Sequence, residues 1–146
     1  MKLLLNLILA LSFTFIACKS DPEPINFGTD ECSHCKMTIV DKKFGAEIVS
    51  RKGKIFKFDA TECMINFVNK GRLNENEVEQ YLVIDITHPE KLIDAVNAVY
   101  LISENLPSPM GANLSAYPDK SSAEDAKNNK GGNNYNWNEL KIKLKR

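Results

Sequence analysis

Short apolar runs separated by polar turns divide the chain into segments typical of a small mixed α and β protein. The runs on either side of Arg51-Lys52-Gly53-Lys54 are β-prone and predict a β-hairpin over about residues 46–58. Helical spacing then places Cys63, Met64, Phe67 and Val68 on one face. We therefore expect a helix that begins with Asp59 as its N-cap, uses Glu62 in a variant capping box, and ends near Gly71.

The next segments favour a buried strand and a second helix. Residues 72–80 are polar and predict a loop, whereas residues 81–86 form a nearly unbroken apolar run, which is typical of a central strand. Thr87 and Glu90 have the spacing of a capping box, and Pro89 suits a first helical turn. The apolar stripe of that second helix would be Ile93, Val96, Val99 and Tyr100, although residues 99–102 could equally begin a strand.

The C-terminal third combines an irregular loop, a helix and a strand. Two prolines and a glycine exclude regular structure over residues 106–111, and residues 113–117 predict a short strand. A third capping box at Ser121 begins a helix that ends at Lys130-Gly131-Gly132. Leu140, Ile142 and Leu144 alternate with lysines, which predicts a half-buried strand with a solvated edge.

The two parts of the chain resemble each other faintly. In each, a short strand precedes a capped helix that ends in Asn-Lys-Gly, at residues 69–71 and 129–131, and a later strand follows. This order predicts an α+β fold built from two related halves.

The N-terminal residues have the features of an export signal. Lys2 precedes an apolar run over residues 3–16 that is too short to span a bilayer, and Ala17-Cys18 resembles a lipoprotein processing site. We expect a signal peptide at residues 1–17, a lipid on Cys18 and a flexible tether at residues 18–28. The protein would then be a membrane-anchored, extracytoplasmic lipoprotein, facing the periplasm. The alternative is an ordinary signal peptide with an incidental cysteine.

Composition and charge remove some function classes. Hydrophobic residues make up 43% of the 146-residue chain and charged residues 26%, which are values of a globular protein. The 19 basic and 19 acidic residues balance to a formal charge of +0, so no nucleic-acid partner is expected.

If Cys18 is acylated, Cys32, Cys35 and Cys63 remain, and this odd number cannot pair completely within one chain.

The richest chemistry lies in residues 30–37, Asp-Glu-Cys-Ser-His-Cys-Lys-Met. The Cys-x-x-Cys motif is compatible with three kinds of site: a redox dithiol, part of a zinc site, or a simple disulfide between Cys32 and Cys35. No amphipathic helix follows the motif, which argues against a thioredoxin-type dithiol. No second pair of cysteine or histidine residues is evident for zinc, since Cys63 is alone and His88 is followed by a proline.

Cuprous copper suits these donors better. Cu(I) is soft and prefers thiolate and thioether sulfur. Cys35 and Met37 are two residues apart, so in an extended stretch both sulfurs can face one side. Met110 lies between Pro109 and Gly111, where it is poorly placed for core packing and well placed to act as a fixed surface ligand, whereas Met64 is better explained as a core residue.

These features together resemble the NosL family of nitrous-oxide reductase accessory lipoproteins, which act as copper chaperones. The matching pieces are Cys18, the Cys-x-Met of Cys35 and Met37, Phe58-Asp59 with Cys63-Met64, Asp94-Ala95, and Ser108-Pro109-Met110-Gly111. The chain departs from the family pattern at Cys32, which many relatives lack, and at Lys36, where a glycine is common.

The resemblance implies a tandem ββαβ fold related to that of the organomercurial lyase. The copper-binding domain would cover residues 29–146, with halves at roughly residues 29–87 and 88–146. It also implies one Cu(I) held mainly by Cys35, Met37 and Met110, with Cys32 as a possible competitor. The ion would pass to a membrane-associated assembly complex that matures nitrous oxide reductase or another extracytoplasmic copper enzyme.

The leading hypothesis is therefore a Cu(I) carrier without catalytic turnover. Two alternatives stay open from the residues. One is an enzyme, either a thiol-disulfide oxidoreductase or a carbon–metal lyase that would use Cys32, Cys35 and Asp59. The other is a metal-free lipoprotein interaction module with a Cys32 to Cys35 disulfide.

Overall fold

The computed structural model describes residues 20–145. The predicted signal peptide and Cys18 lie outside this range. No helix among the described residues is long and apolar enough to cross a membrane.

The described residues form two antiparallel sheets and three α-helices. The first sheet has the spatial order β2-β1-β3-β4 and contains β1 (Ala46–Ser50), β2 (Ile55–Phe58), β3 (Val78–Ile84) and β4 (Leu92–Asp94). The second has the order β6-β5-β7 and contains β5 (Val99–Ile102), β6 (Leu114–Tyr117) and β7 (Asn133–Tyr135). The helices are α1 (Thr61–Asn69), α2 (Lys120–Lys130) and α3 (Trp137–Lys143), and a 3-10 turn (Glu75–Glu77) precedes β3.

The same sequence of elements occurs in both sheets. Strands β1 and β2, helix α1 and strand β3 form one ββαβ unit, and strands β5 and β6, helix α2 and strand β7 form the other. In each unit the first strand lies between the other two. The predicted α+β class with tandem ββαβ halves is confirmed. The division near residue 87 stays a prediction, and β4, which follows it, pairs with β3.

The predicted hairpin and first helix are present, but the predicted cap of that helix is wrong. The N-cap of α1 is Ala60, with no side-chain hydrogen bond, and Gly71 follows the helix with a φ of 69°. The Glu62 carboxylate accepts a hydrogen bond from the distant Ser108 hydroxyl instead of closing a local box with Asp59. A tertiary contact therefore replaces the local cap.

The helix predicted from Thr87 is also wrong, because this segment forms a turn followed by β4 and β5. The Asp85 carboxylate accepts hydrogen bonds from the Thr87 amide at 2.9 Å and the Thr87 hydroxyl at 2.6 Å, which holds the chain in a turn. Glu90 has a φ of 71°, which a right-handed helix does not allow. Residues 99–102 form the strand that the sequence allowed as the alternative.

The C-terminal strand predicted at Leu140, Ile142 and Leu144 is wrong as well. Helix α3 covers most of these residues, and Asn136 and Glu139 form its capping box. Leu140 is fully buried whereas Ile142 is 75% exposed, so the burial follows a helical period and not an alternating one. Helix α2 was predicted correctly, but its cap is Asp119, which accepts from the Ser122 amide at 2.8 Å, and not Ser121.

One hydrophobic core joins the two sheets. Its buried side chains come from both units and include Ile48, Phe58, Met64, Tyr100, Leu114, Trp137 and Leu140. The sheets are also linked through the backbone, because the Ile86 amide donates to the Ala116 carbonyl at 3.0 Å. The loops of one unit are therefore fixed relative to the helices of the other.

Part of the segment predicted as a flexible tether is packed against this core. Ile25 is 8% exposed and belongs to the core, and the Glu23 amide donates to the buried Glu47 carboxylate at 3.0 Å. The Lys57 ammonium donates to the Pro24 carbonyl at 2.8 Å. From Glu23 onward the chain is held on the first sheet.

Candidate metal centre

The segment that carries Cys32 and Cys35 is a tight loop closed by backbone hydrogen bonds. The Cys32 amide donates to the Met37 carbonyl at 2.8 Å, and the Lys36 amide donates to the Cys32 carbonyl at 3.0 Å. The Ser33 amide bonds to the Lys57 carbonyl of β2 at 2.8 Å, and the Lys57 ammonium contacts the Asp30 carboxylate at the same distance. The first sheet therefore fixes the position of the loop.

The loop is turned at Lys36, whose φ of 67° lies in the left-handed region. The extended conformation that was considered for Cys35 and Met37 is therefore not the one observed. The Cys35 sulfur accepts a hydrogen bond from the Met37 amide. This turn directs the sulfur of Cys35 toward the backbone of Met37 while the Met37 side chain is 56% exposed.

Helix α1 brings a third thiol to the loop. The sulfur atoms of Cys32, Cys35 and Cys63 all lie within 4.8 Å of one another, and all three cysteines are free. Cys32 and Cys63 are buried and Cys35 is half-buried. A metal ion with sulfur ligands at about 2.3 Å in a trigonal plane separates those ligands by about 4 Å. The cluster is thus close to the spacing that one metal ion requires.

The surroundings favour a thiolate at the centre of the cluster. The hydrogen bond with Cys63 is the strongest influence on Cys32, and it holds the pKa of the Cys32 thiol well below its ordinary value although burial opposes the shift. Backbone amides of Asp59, Cys35 and His34 also donate to the Cys32 sulfur. The same contact with Cys32, together with burial, raises the pKa of Cys63, and burial raises that of Cys35.

A small cavity of about 180 Å³ adjoins the cluster on the Cys63 side. It is lined by His34, Cys63 and Met110, among others, and Met110 is 39% exposed at this position. The His34 Nδ1 atom is buried without a hydrogen-bond partner. Burial and the positive charges of Lys70 and Arg72 lower the pKa of His34, which favours its neutral imidazole.

Comparisons with known proteins identify the family and the fold. The NosL family model matches residues 24–144. The chain belongs to the NosL family. A solved structure described as the copper chaperone NosL from Shewanella denitrificans has the same fold, with a TM-score of 0.72 and 21% sequence identity. The match covers 83% of this chain and 96% of that one. Among curated proteins, no match to the chain is found.

Two buried carboxyl groups line the base of this NosL-family site. The pKa of Asp59 is raised to about 6, mainly by burial and also by the negative charges of Cys32 and Glu62. Burial also raises the pKa of Glu62, which lies on α1 beside Cys63 and lines the cavity. One oxygen of each carboxyl group has no hydrogen-bond partner. Both carboxyl groups therefore hold a proton more readily than exposed acids do.

The structure brings some of the predicted site residues of this NosL-family chain together. Cys32 and Cys35 share the thiol cluster, and Met37 follows on the same loop. Met110 lies on a separate loop and lines the same cavity as Cys63 and His34. Cys63 was not among the predicted ligands. The sequence signals for it were the odd number of cysteines and its position one residue before Met64 in the Phe58-to-Met64 motif, and neither reports its distance from Cys32.

Proposed function

We propose that this NosL-family protein is a carrier of Cu(I) without catalytic turnover. The observation that supports it most is the group of three free thiols within 4.8 Å, two of which lie on a loop that also carries the exposed thioether of Met37. Thiolate and thioether sulfur are the ligands that a soft monovalent ion prefers. The family of the chain and the copper chaperone of the same fold point to the same metal.

The proposed ligands are Cys35, Met37 and Met110, and Cys32 is a thiolate that can replace one of the thioethers. Cys35 is the half-buried member of the thiol cluster, so a metal ion bound to it remains within reach of the surface. Met37 and Met110 are 56% and 39% exposed, so their sulfur atoms are accessible to a metal ion that arrives from solution. Thioethers stay unprotonated and do not form disulfides, so they suit an exposed position outside the cytoplasm.

Release of the metal would follow from this exposure. A thiolate or thioether of a partner protein attacks the ion from the open side, where Met37 and Met110 lie, and forms a new bond before an old one breaks. No oxidation or reduction is involved, and each displaced sulfur of the carrier returns to its free form. A site with three ligands or fewer leaves room for this exchange.

The partners and location belong to the same proposal. A lipid on Cys18 would hold the protein on a membrane outside the cytoplasm, facing the periplasm, with the packed chain beginning at Glu23. The recipient would be a membrane-associated complex that assembles the copper centres of nitrous oxide reductase or of another extracytoplasmic copper enzyme. The balanced formal charge of +0 gives no reason to expect nucleic acid.

Anaerobic titration with Cu(I) against a chromogenic chelator tests the proposal. We expect one Cu(I) per chain, a large loss of affinity for Cys35→Ser, and lower affinity for Met37→Leu and Met110→Leu. Unchanged affinity in all three variants would contradict it. Insulin-reduction and organomercurial-cleavage assays at catalytic protein concentrations test the absence of turnover, and multiple turnovers would favour the enzyme alternative.

A further inference from the structure

We propose that Cys63 is a metal ligand. Together with Cys32 and Cys35 it forms an inner, trithiolate position for the ion. The outer position is the exposed one formed by Cys35, Met37 and Met110. This inference rests on the proposed function and deepens it, because it names a ligand outside the predicted set. The two positions share Cys35, so the protein still binds one Cu(I) at a time.

The geometry of the thiols is the first support. A sulfur from α1 and two sulfurs from the 30–39 loop lie within 4.8 Å of one another, although α1 is separated from the loop by the β1–β2 hairpin. Two independently positioned elements therefore converge on one point.

The surrounding dipoles are the second support. Amides of His34, Cys35 and Asp59 donate to the Cys32 sulfur, and the Met37 amide donates to the Cys35 sulfur. Cys63 lies in the first turn of helix α1, and its thiol is hydrogen-bonded to the Cys32 sulfur in the metal-free protein. Two of the three sulfurs thus have the amide donors that support thiolate ligands of a metal, and the third is already in contact with one of them.

The cavity beside the cluster is the third support. Cys63 belongs both to the thiol cluster and to the wall of the 180 Å³ cavity that Met110 lines. It therefore lies between the buried thiols and a half-exposed thioether. A Cu(I) ion bound outside can move inward by exchanging thioether ligands for Cys32 and Cys63 while Cys35 stays bound.

The chemistry of this step is ligand exchange alone. Each thiol that binds the ion gives its proton to water or buffer, and each thioether that leaves regains its free lone pair. Copper remains Cu(I), so neither an oxidant nor a reductant takes part.

A variant without the exposed thioethers separates the two positions. In Met37→Leu/Met110→Leu the surface methionines are replaced by side chains of similar volume, and the thiol cluster is untouched. We expect this double variant to bind one Cu(I), with three sulfur neighbours by X-ray absorption. Loss of bound copper from the double variant, while the unsubstituted protein binds it, would overturn the trithiolate and leave the proposed function intact. Absence of copper from both proteins would instead contradict the proposed function.

Adding Cys63→Ser to that double variant tests the ligand itself. We expect the sulfur count to fall to two and the affinity to fall by more than about 100-fold, beyond the 10–100-fold loss that removal of a merely orienting group produces. Met64→Leu in the same background is the control, because Met64 is the buried neighbour of Cys63 on α1. Unchanged sulfur count and affinity on substitution of Cys63 would also overturn the inference. If the variant with Cys63→Ser does not fold, the number of sulfur neighbours in Met37→Leu/Met110→Leu tests the trithiolate by itself.

Discussion

The hydroxyl of Ser108 donates a hydrogen bond of 2.5 Å to the Glu62 carboxylate, across 46 positions of the sequence. The Ala112 amide donates to the same oxygen at 3.4 Å. Both groups flank Met110, so a buried residue of α1 holds the two ends of the loop that carries this thioether. The contact places Met110 beside Cys63, the next residue along α1 from Glu62.

Ser108→Ala should therefore destabilise the protein although it removes a single oxygen atom. Glu62 is buried and already has one oxygen without a partner, so loss of the hydroxyl leaves more of the carboxylate unsatisfied. We expect the free energy of unfolding to fall by about 1–3 kcal/mol. Urea denaturation of the metal-free protein measures it. Ser121→Ala, at an exposed position of α2, is the matched control, and an equal effect of both substitutions would argue against the contact.

Ile25→Ala tests whether the segment before the metal loop is part of the fold. The side chain is buried in the core, and its removal leaves a cavity, so we expect a loss of about 2–5 kcal/mol in the free energy of unfolding. Ile142→Ala removes the same atoms from a side chain that is 75% exposed and should cost far less. Equal effects would mean that residues 20–28 behave as a free tether.

Substitution at Lys36 tests the turn of the metal loop. Its φ of 67° suits glycine and opposes β-branched residues. Lys36→Gly should keep Cu(I) affinity within about threefold, whereas Lys36→Val should strain the turn and lower the free energy of unfolding of the metal-free protein by about 1–2 kcal/mol. Chelator competition measures the affinity, and urea denaturation measures the stability. Tighter binding by the valine variant would show that the loop is extended when it is loaded.

Glu47 gives the metal-free protein a specific pH dependence. The side chain is fully buried on β1 and burial raises its pKa above the ordinary 4.5. As the pH falls from neutral toward 4.5, the folded state gains a proton that the unfolded state does not yet bind, so stability rises relative to Glu47→Gln. Urea denaturation at several pH values measures this difference. Glu104→Gln, at an exposed site, is the control, and its free energy of unfolding should change with pH as that of the unsubstituted protein does. The same pH dependence for Glu47→Gln and the unsubstituted protein would contradict the prediction.

Local patterns predicted the parts of the fold that depend on local structure. The hairpin around Gly53, helix α1 up to Gly71 and the irregular loop around Met110 follow from turn residues and helical spacing. The region after Thr87 was missed because Asp85 and the sheet outcompete a helix that has a correct capping pattern. The C-terminal alternation was misleading because Leu140 and Leu144 are four residues apart and also fit a helix.

The site could be predicted only in part for a related reason. The Cys-x-x-Cys loop is contiguous, so its donors were evident from the sequence. Cys63 joins them through the packing of α1 against the first sheet, and the contact between Glu62 and Ser108 spans both units of the fold. Hydrophobic periodicity carries no information about distances between residues on different elements. For this reason no thiol donor to accompany Cys32 and Cys35 was evident from the sequence.

Copper binding through sulfur is tested by anaerobic Cu(I) titration of the unsubstituted protein combined with X-ray absorption of the loaded form. The two measurements report stoichiometry and the identity of the ligand atoms together. We predict one Cu(I) per chain in a shell of two or three sulfur atoms with no nitrogen. Failure to bind Cu(I), or a shell dominated by nitrogen or oxygen, would contradict a sulfur-ligated copper carrier.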